Sequence, residues 1–339
     1  MSFLPVMSRL SAGMALLALL AVSQECRAAA REVGKEILQK DTTWSGDILI
    51  TGDVQVPAGV TLTITPGTTV RFKKIGAESD RNLFGLDSPY YPQAEIVVLG
   101  RLLAKGSAEK PILFSSAETS PQPSDWGSLN FLGGKGNLIE NCRIEYGYNG
   151  VHAHGAEVLI KDNIFRKNAV AISVKKEDEA VGTPGFGISA DITVTGNLVQ
   201  DNKGGINVRV SRAVITGNTI RDNKFFGIWI KGKCPGEISR NVITANQKGI
   251  FFYKAGGMTI KANNIHDNLD YNLAIADEQS ADILAAGNWF GTTDPSKIAA
   301  LVFDGKADPT VAQIIVVPFL AERAADAGIK ESGNAKDQP

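Results

Sequence analysis

A short frame that returns about every 22 residues constrains this 339-residue chain more than any bulk property. It reads NIFRKN at 163–168, NLVQDN at 197–202, NTIRDN at 218–223, NVITAN at 241–246 and NNIHDN at 263–268, with a weaker CRIEYG at 142–147. The leading residues Cys142, Asn163, Asn197, Asn218, Asn241 and Asn263 are spaced by 21, 34, 21, 23 and 22, and Asn288 continues the series. The long interval is one period plus an insertion, located at KKEDEAVGTPGFGISAD, residues 175–191. Fixed periods of this size mark solenoids, in which each repeat buries its apolar face only by stacking on its neighbours.

The apolar positions around the frame alternate as they do in strands. Ile139, Ile160, Val194, Ile215, Ile238 and Ile260 precede the leading residue by three, and Ile144, Phe165, Val199, Ile220, Ile243 and Ile265 follow it by two. A third run follows the second Asn, with inward pairs Val151/Ala153, Ile172/Val174, Ile206/Val208, Ile228/Ile230, Ile250/Phe252 and Leu273/Ile275. Period-two alternation in β-branched residues predicts three short strands per coil, each with one buried face. The expected fold is therefore all-β: a right-handed parallel β-helix of ~22-residue coils, ~4.8 Å apart, with capping elements at both ends. The recurrent Asn suits the corners, because its amide bonds to turn backbone and to the next Asn and tolerates a left-handed bend. A leucine-rich repeat would need leucine in the core and a helical side, whereas the core here is Ile and Val.

Three segments are expected: a signal peptide over 1–30, the β-helix with its caps over 31–320, and a disordered tail over 321–339. The first has Arg9, the apolar run Ala12 to Val22 and the small residues Ala28-Ala29-Ala30. That run is shorter than the roughly 20 residues a membrane span needs, so export to the periplasm or beyond is expected. Asp294-Pro295 reads as the N-cap and first residue of a short helix, and IIVVPFL at 314–320 as a strand covering the last coil. The tail is polar and aperiodic. The 35 basic and 36 acidic residues give no basic field for nucleic acid. Cys142 and Cys234 fall three to four coils apart, roughly 14–19 Å, too far for a disulfide.

The runs VQVPAGVTLTITPGTTVRF, VVLGRLLAKGSAEKPILFSS, WGSLNF, IENCRIEYG and GNWFGTTDP resemble exported bacterial right-handed β-helix proteins of the pectate-lyase-like superfamily, over residues 44–320. The resemblance implies the fold and leaves the activity open, because that superfamily holds lyases, hydrolases, epimerases and adhesins. A fainter similarity to periplasmic β-helix proteins of nitrous-oxide reductase maturation implies a copper role, but the sequence shows no Met/His/Cys cluster for it.

Alternation assigns the outward side of the third strand two columns. The first is His152, Ser173, Asn207, Trp229, Phe251 and Ala274; the second is His154, Lys175, Arg209, Lys231, Tyr253 and Ala276. Aromatic faces suit the C–H surfaces of sugars and cations suit uronates or sulfates, so Asn207, Arg209, Trp229, Lys231, Phe251 and Tyr253 are the candidate binding residues for a polysaccharide or other envelope polymer. The plain alternative is that the rings stack between coils and stiffen the sheet, or that the insertion or tail covers them. A polysaccharide lyase would use His152 or His154 as base with Lys175 and Arg209; the paired carboxylates of a glycoside hydrolase are missing from these columns. The expected protein is thus an exported, non-catalytic polymer binder, with a lyase and a purely structural envelope protein as alternatives. No cofactor is expected. Asp201 and Asp222 lie on adjacent coils and could share Ca²⁺, but Asp-Asn is also good turn chemistry.

Overall fold

The computed structural model describes residues 1–2, 29–83, 92–176, 185 and 187–330. Residues 3–28 of the expected signal peptide (1–30), the middle of the 175–191 insertion and the last nine residues lie outside these. Among the described residues the chain is a right-handed parallel β-helix in which the strand pairings run parallel, from Arg31–Val33 on Asp47–Ile50 to Ile283–Leu284 on Ile314–Ile315. One face is a sheet of ten short strands, such as Leu198–Gln200 on Thr219–Arg221. The other two faces, exemplified by Gly204–Arg209 and Arg212–Thr216, merge into one sheet. They merge because Phe226–Ser239 and Lys248–Lys261 run through the corner as single strands of 14 residues, with register shifts at Lys233 and Gly236. Three strands per coil therefore become two in these coils.

The core is a set of axial stacks. Val151, Ile172, Ile206, Ile228, Ile250 and Leu273 are paired coil to coil and have no exposed surface. Burying each such side chain contributes about 1.5–3 kcal/mol relative to leaving it in water, so the coil count sets the total.

Two asparagine ladders line two corners. Each Asn Oδ1 accepts both the main-chain N–H and the side-chain N–H of the Asn one coil earlier: Asn218 Oδ1 lies 2.9 Å from both nitrogens of Asn197, and Asn241 Oδ1 lies 2.9 Å from both of Asn218. The first ladder runs through Asn163, Asn197, Asn218, Asn241 and Asn263 to Asn288; the second runs through Asn168, Asn202, Asn223 and Asn246 to Asn268, whose amide is then closed by Asn272, four residues further along the chain. Cys142 takes the ladder position of its coil: its N–H donates to Asn163 Oδ1 and its thiol to the carbonyls of Glu140 and Ala104. The left-handed turn residue is the one before the Asn. Asp162, Asp201, Asp222, Arg240 and Asp267 all have φ between 52° and 58°, while no ladder Asn has a positive φ. The Asn is freed from the bend so that both ends of its amide can serve the ladder.

At the C-terminal end Asp294 caps the helix Pro295–Ala300, accepting from Ser296 N–H at 2.9 Å. The tail differs from the expected disorder over its first ten residues. Residues 321–330 cross the outside of the ten-stranded sheet against the chain direction: Ala324 exchanges hydrogen bonds with the Asn264 side chain, Gly328 N–H donates to Arg240 O and Ile329 N–H to Thr219 Oγ. Arg323 anchors the strap, 4.8 Å above the Trp289 ring and 3.2 Å from His266 Nε2. Small residues hold it there: Ala324, Ala325, Ala327 and Gly328 let the backbone lie close to the strands. Polarity alone hid this contact, because it is made mostly by main chain and one guanidinium.

Candidate binding face

The merged sheet carries the two outward columns in unbroken register. Asn130, His152, Ser173, Asn207, Trp229, Phe251, Ala274 and Phe303 are successive partners, as are Leu132, His154, Lys175, Arg209, Lys231 and Tyr253. One coil per step places Trp229 and Phe303 roughly 14 Å apart.

The C-terminal half of the strip is aromatic. The Trp229 and Phe251 rings are 5.8 Å apart and tilted by 35°, and Phe226 meets Trp229 at 5.5 Å. Lys231 Nζ lies 5.9 Å from the Trp229 ring and 5.1 Å from Tyr253, so the cation sits over π faces instead of projecting freely into water. Asn207 and Trp229 are half-buried register partners, and Asn207 Oδ1 and Trp229 Nε1 have no hydrogen-bond partner. Phe225, at the preceding turn, is 61% exposed.

Beyond Tyr253 the strip falls into a slot. Where earlier coils carry Phe251 and Tyr253, the next coil carries Ala274 and Ala276, and the following strand rises again to Phe303. The result is a groove of about 360 Å³ lined by Lys248, Phe251, Tyr271, Asp277 and Phe303 with Ala274 to Ala276 as its floor. Tyr271 and Phe303 are 5.4 Å apart. Lys248 Nζ lies 5.8 Å from the Phe251 ring and 3.5 Å from Asp270. Tyr271, Phe303, Lys248 and Asp277 were not among the sequence candidates. Phe303 lies past the last repeat, behind the Asp294 helix, so periodicity could not reach it; the alanines, read as the end of the strip, are its floor.

The N-terminal half differs from the sequence expectation. His154 was assigned to the outer surface and is instead fully buried. Gly185, the described remnant of the insertion, lies against it: a Cβ built on that glycine would stand 2.9 Å from His154 O. Burial, then the charges of Lys175 and Arg209, push the His154 pKa down to about 3, so this imidazole is neutral at physiological pH. His152 is half-buried, with its ring centroid 4.3 Å from that of His154. The four lyase candidates are thus neighbours, but one imidazole is out of reach of a polymer. Asp201 and Asp222 point to solvent at left-handed turn positions, Asp222 paired with Arg221 at 3.1 Å. Among the described residues no three His, Cys, Asp or Glu side chains cluster as a metal site. Cys142 and Cys234 are buried free thiols, each with its pKa raised by burial.

Residues 121–299, the coils that carry this face, match the family model described as "Periplasmic copper-binding protein (NosD)". The chain belongs to the NosD family. The preceding coils, residues 36–147, match the pectate-lyase-like β-helix domain, so the NosD-type coils continue a solenoid of that superfamily. Among curated proteins, the uncharacterized protein YclG of Bacillus subtilis (strain 168) is 27% identical over 169 residues, which span 47% of this chain and 26% of YclG. No solved structure matches the chain. NosD membership identifies a β-helix protein of a periplasmic family, and no helix among the described residues is long and apolar enough to cross a membrane.

Proposed function

We propose that this protein is a non-catalytic β-helix protein of the cell envelope that binds a glycan or related polymer along the merged sheet, with its chain seated over Trp229, Phe251 and Tyr253 and one unit in the Ala274–Phe303 slot. The observation that carries this reading is the slot's composition: aromatic walls, a small-residue floor, and one cation and one carboxylate at its rim. Its volume falls within the usual range of small-ligand sites, and aromatic faces with a few polar groups are what a sugar ring requires. Lys231 and Arg209, one and two coils before Tyr253, favour a polymer with acidic groups.

Copper, named in the family's description, does not fit the donors at hand. Cys142 and Cys234 are buried and donate to main-chain carbonyls, and His266 is held between Asp267 and Arg323. The remaining imidazole pair, His152 and His154, stands beside Lys175 and Arg209, whose charges oppose a second cation. A lyase reading loses one of its two candidate bases, because a buried His154 cannot meet a substrate proton, and rests on the half-buried His152 alone.

The test is a glycan array on the purified protein, followed by calorimetry on each hit and by absorbance of unsaturated products. Saturable binding that weakens at least ~10-fold in W229A and F251A, without product, supports the proposal. Product formation would replace it with the lyase, and silence in both assays with a structural role. Copper binding unaffected by either substitution would move the function away from this face.

A further inference from the structure

The outward face of the first coils carries a second polar cluster, away from the aromatic strip and fully enclosed. Asp53 and Glu95 are each 2% exposed, Ser128 1% and Asn130 0%. Glu95 accepts from Ser128 Oγ at 3.1 Å and from Asn130 Nδ2 at 2.7 Å. Asp53 accepts the main-chain N–H of Glu95 at 2.9 Å and that of Leu83. Asn130 Oδ1, with no exposed surface, has no partner.

The cluster has too many acceptors. Two carboxyl groups, an amide oxygen and a hydroxyl meet only neutral donors, and no Lys or Arg among the described residues contacts either carboxylate; Lys35 acts on Asp53 only through its field. Two buried negative charges without a counter-ion are very unfavourable; burial, and then the neighbouring Asp53 charge, raise the proton affinity of Glu95. The site is nevertheless built to hold them. Gly127 is required beneath Glu95, because a Cβ there would lie 2.2 Å from Glu95 Cγ. The loop after Phe72 folds back over the cluster and is fastened to it, Asp53 N–H donating to Arg81 O and Leu83 N–H to the Asp53 carboxylate.

We propose that Glu95, Asn130 Oδ1 and Ser128 Oγ, with the second negative charge from Asp53, bind a divalent cation of the oxygen-seeking class, Ca²⁺ being the best match. The donor set is all oxygen, which suits Ca²⁺ and disfavours copper or zinc. Two carboxylates balance one such ion, and it would use the Asn130 amide oxygen, which has no partner within the cluster. The cation would also fasten the 74–83 loop to the first coils through Asp53.

The experiment uses the full mature chain, stripped with chelator and titrated with CaCl₂. Thermal unfolding should move up by at least about 3 °C at saturating Ca²⁺. Tb³⁺, as a Ca²⁺ probe, should show luminescence sensitised by the nearby Trp126 and displaced by Ca²⁺. E95Q and, as a second variant should that one not fold, N130A should lose both responses. Wild-type protein with neither response, or variants that respond as wild type does, would overturn the proposal; glycan binding is measured separately and is unaffected by either result.

Discussion

Replacing one ladder asparagine in the middle of the solenoid tests the account of what holds the coils in register. Asn218 is fully buried, and its side chain makes five hydrogen bonds. Nδ2 donates to Val194 O at 2.9 Å, Thr216 O at 3.1 Å and Asn241 Oδ1 at 2.9 Å, while Oδ1 accepts from both nitrogens of Asn197. In N218A the Asn197 amide N–H loses its acceptor and Val194 O loses this donor, and neither can reach water. Asn241 Oδ1 keeps the main-chain N–H of residue 218, and Asn197 Nδ2 keeps the carbonyls of Ile160 and Thr195, so those losses are smaller. At ~1–3 kcal/mol for each stranded group, the total is about 3–5 kcal/mol. N218D preserves volume and the acceptor toward Asn197, but turns a second oxygen onto three acceptors. It should be at least as destabilising as N218A at pH 7 and should recover as the buried carboxyl is protonated below that. Urea unfolding by circular dichroism measures both, with midpoint and slope compared, since breaking a repeat array can uncouple its halves. A cost under ~1 kcal/mol for N218A, or an N218D more stable than N218A at pH 7, would refute the claim that the ladder, and not the Ile/Val stack alone, fixes the corners.

Two further outcomes follow from burial and packing. Asp53 has its pKa raised from 3.8 to about 6, desolvation being the main cause. A group whose folded pKa is raised contributes its stability fully below pH 3.8 and loses it as pH rises through 6; chelated protein should therefore lose about 3 kcal/mol across this window, and D53N should flatten that slope in pH-dependent urea titrations. Truncation after Leu320 should lower the thermal midpoint by several degrees and raise hydrogen exchange at Asn264 and Thr219, because it removes the Arg323–Trp289 contact and the strap's hydrogen bonds; an unchanged midpoint would mean the strap adds nothing to the fold.

The sequence by itself determined the solenoid. Strict spacing of Asn and of β-branched residues admits few folds, because a one-residue slip would turn every core side chain outward. For that reason Trp229, Phe251 and Tyr253 could be assigned to one exposed face, and the ladder residues to a corner, from spacing alone. Tertiary structure decided what periodicity cannot encode. His154 keeps an outward register position, but Gly185 lies against it, and burial depends on what lies above a strand as much as on which way the strand points. Phe303 reaches the slot from beyond the last repeat. Glu95 and Asp53 precede the recognisable frame, and only strand pairing places them beside Ser128 and Asn130. The strap's Arg323 meets Trp289 and His266 from more than 30 residues away along the chain. Local pattern fixes the direction of a side chain within its coil; the company it keeps is set by segments outside the repeat, whose positions depend on three-dimensional packing.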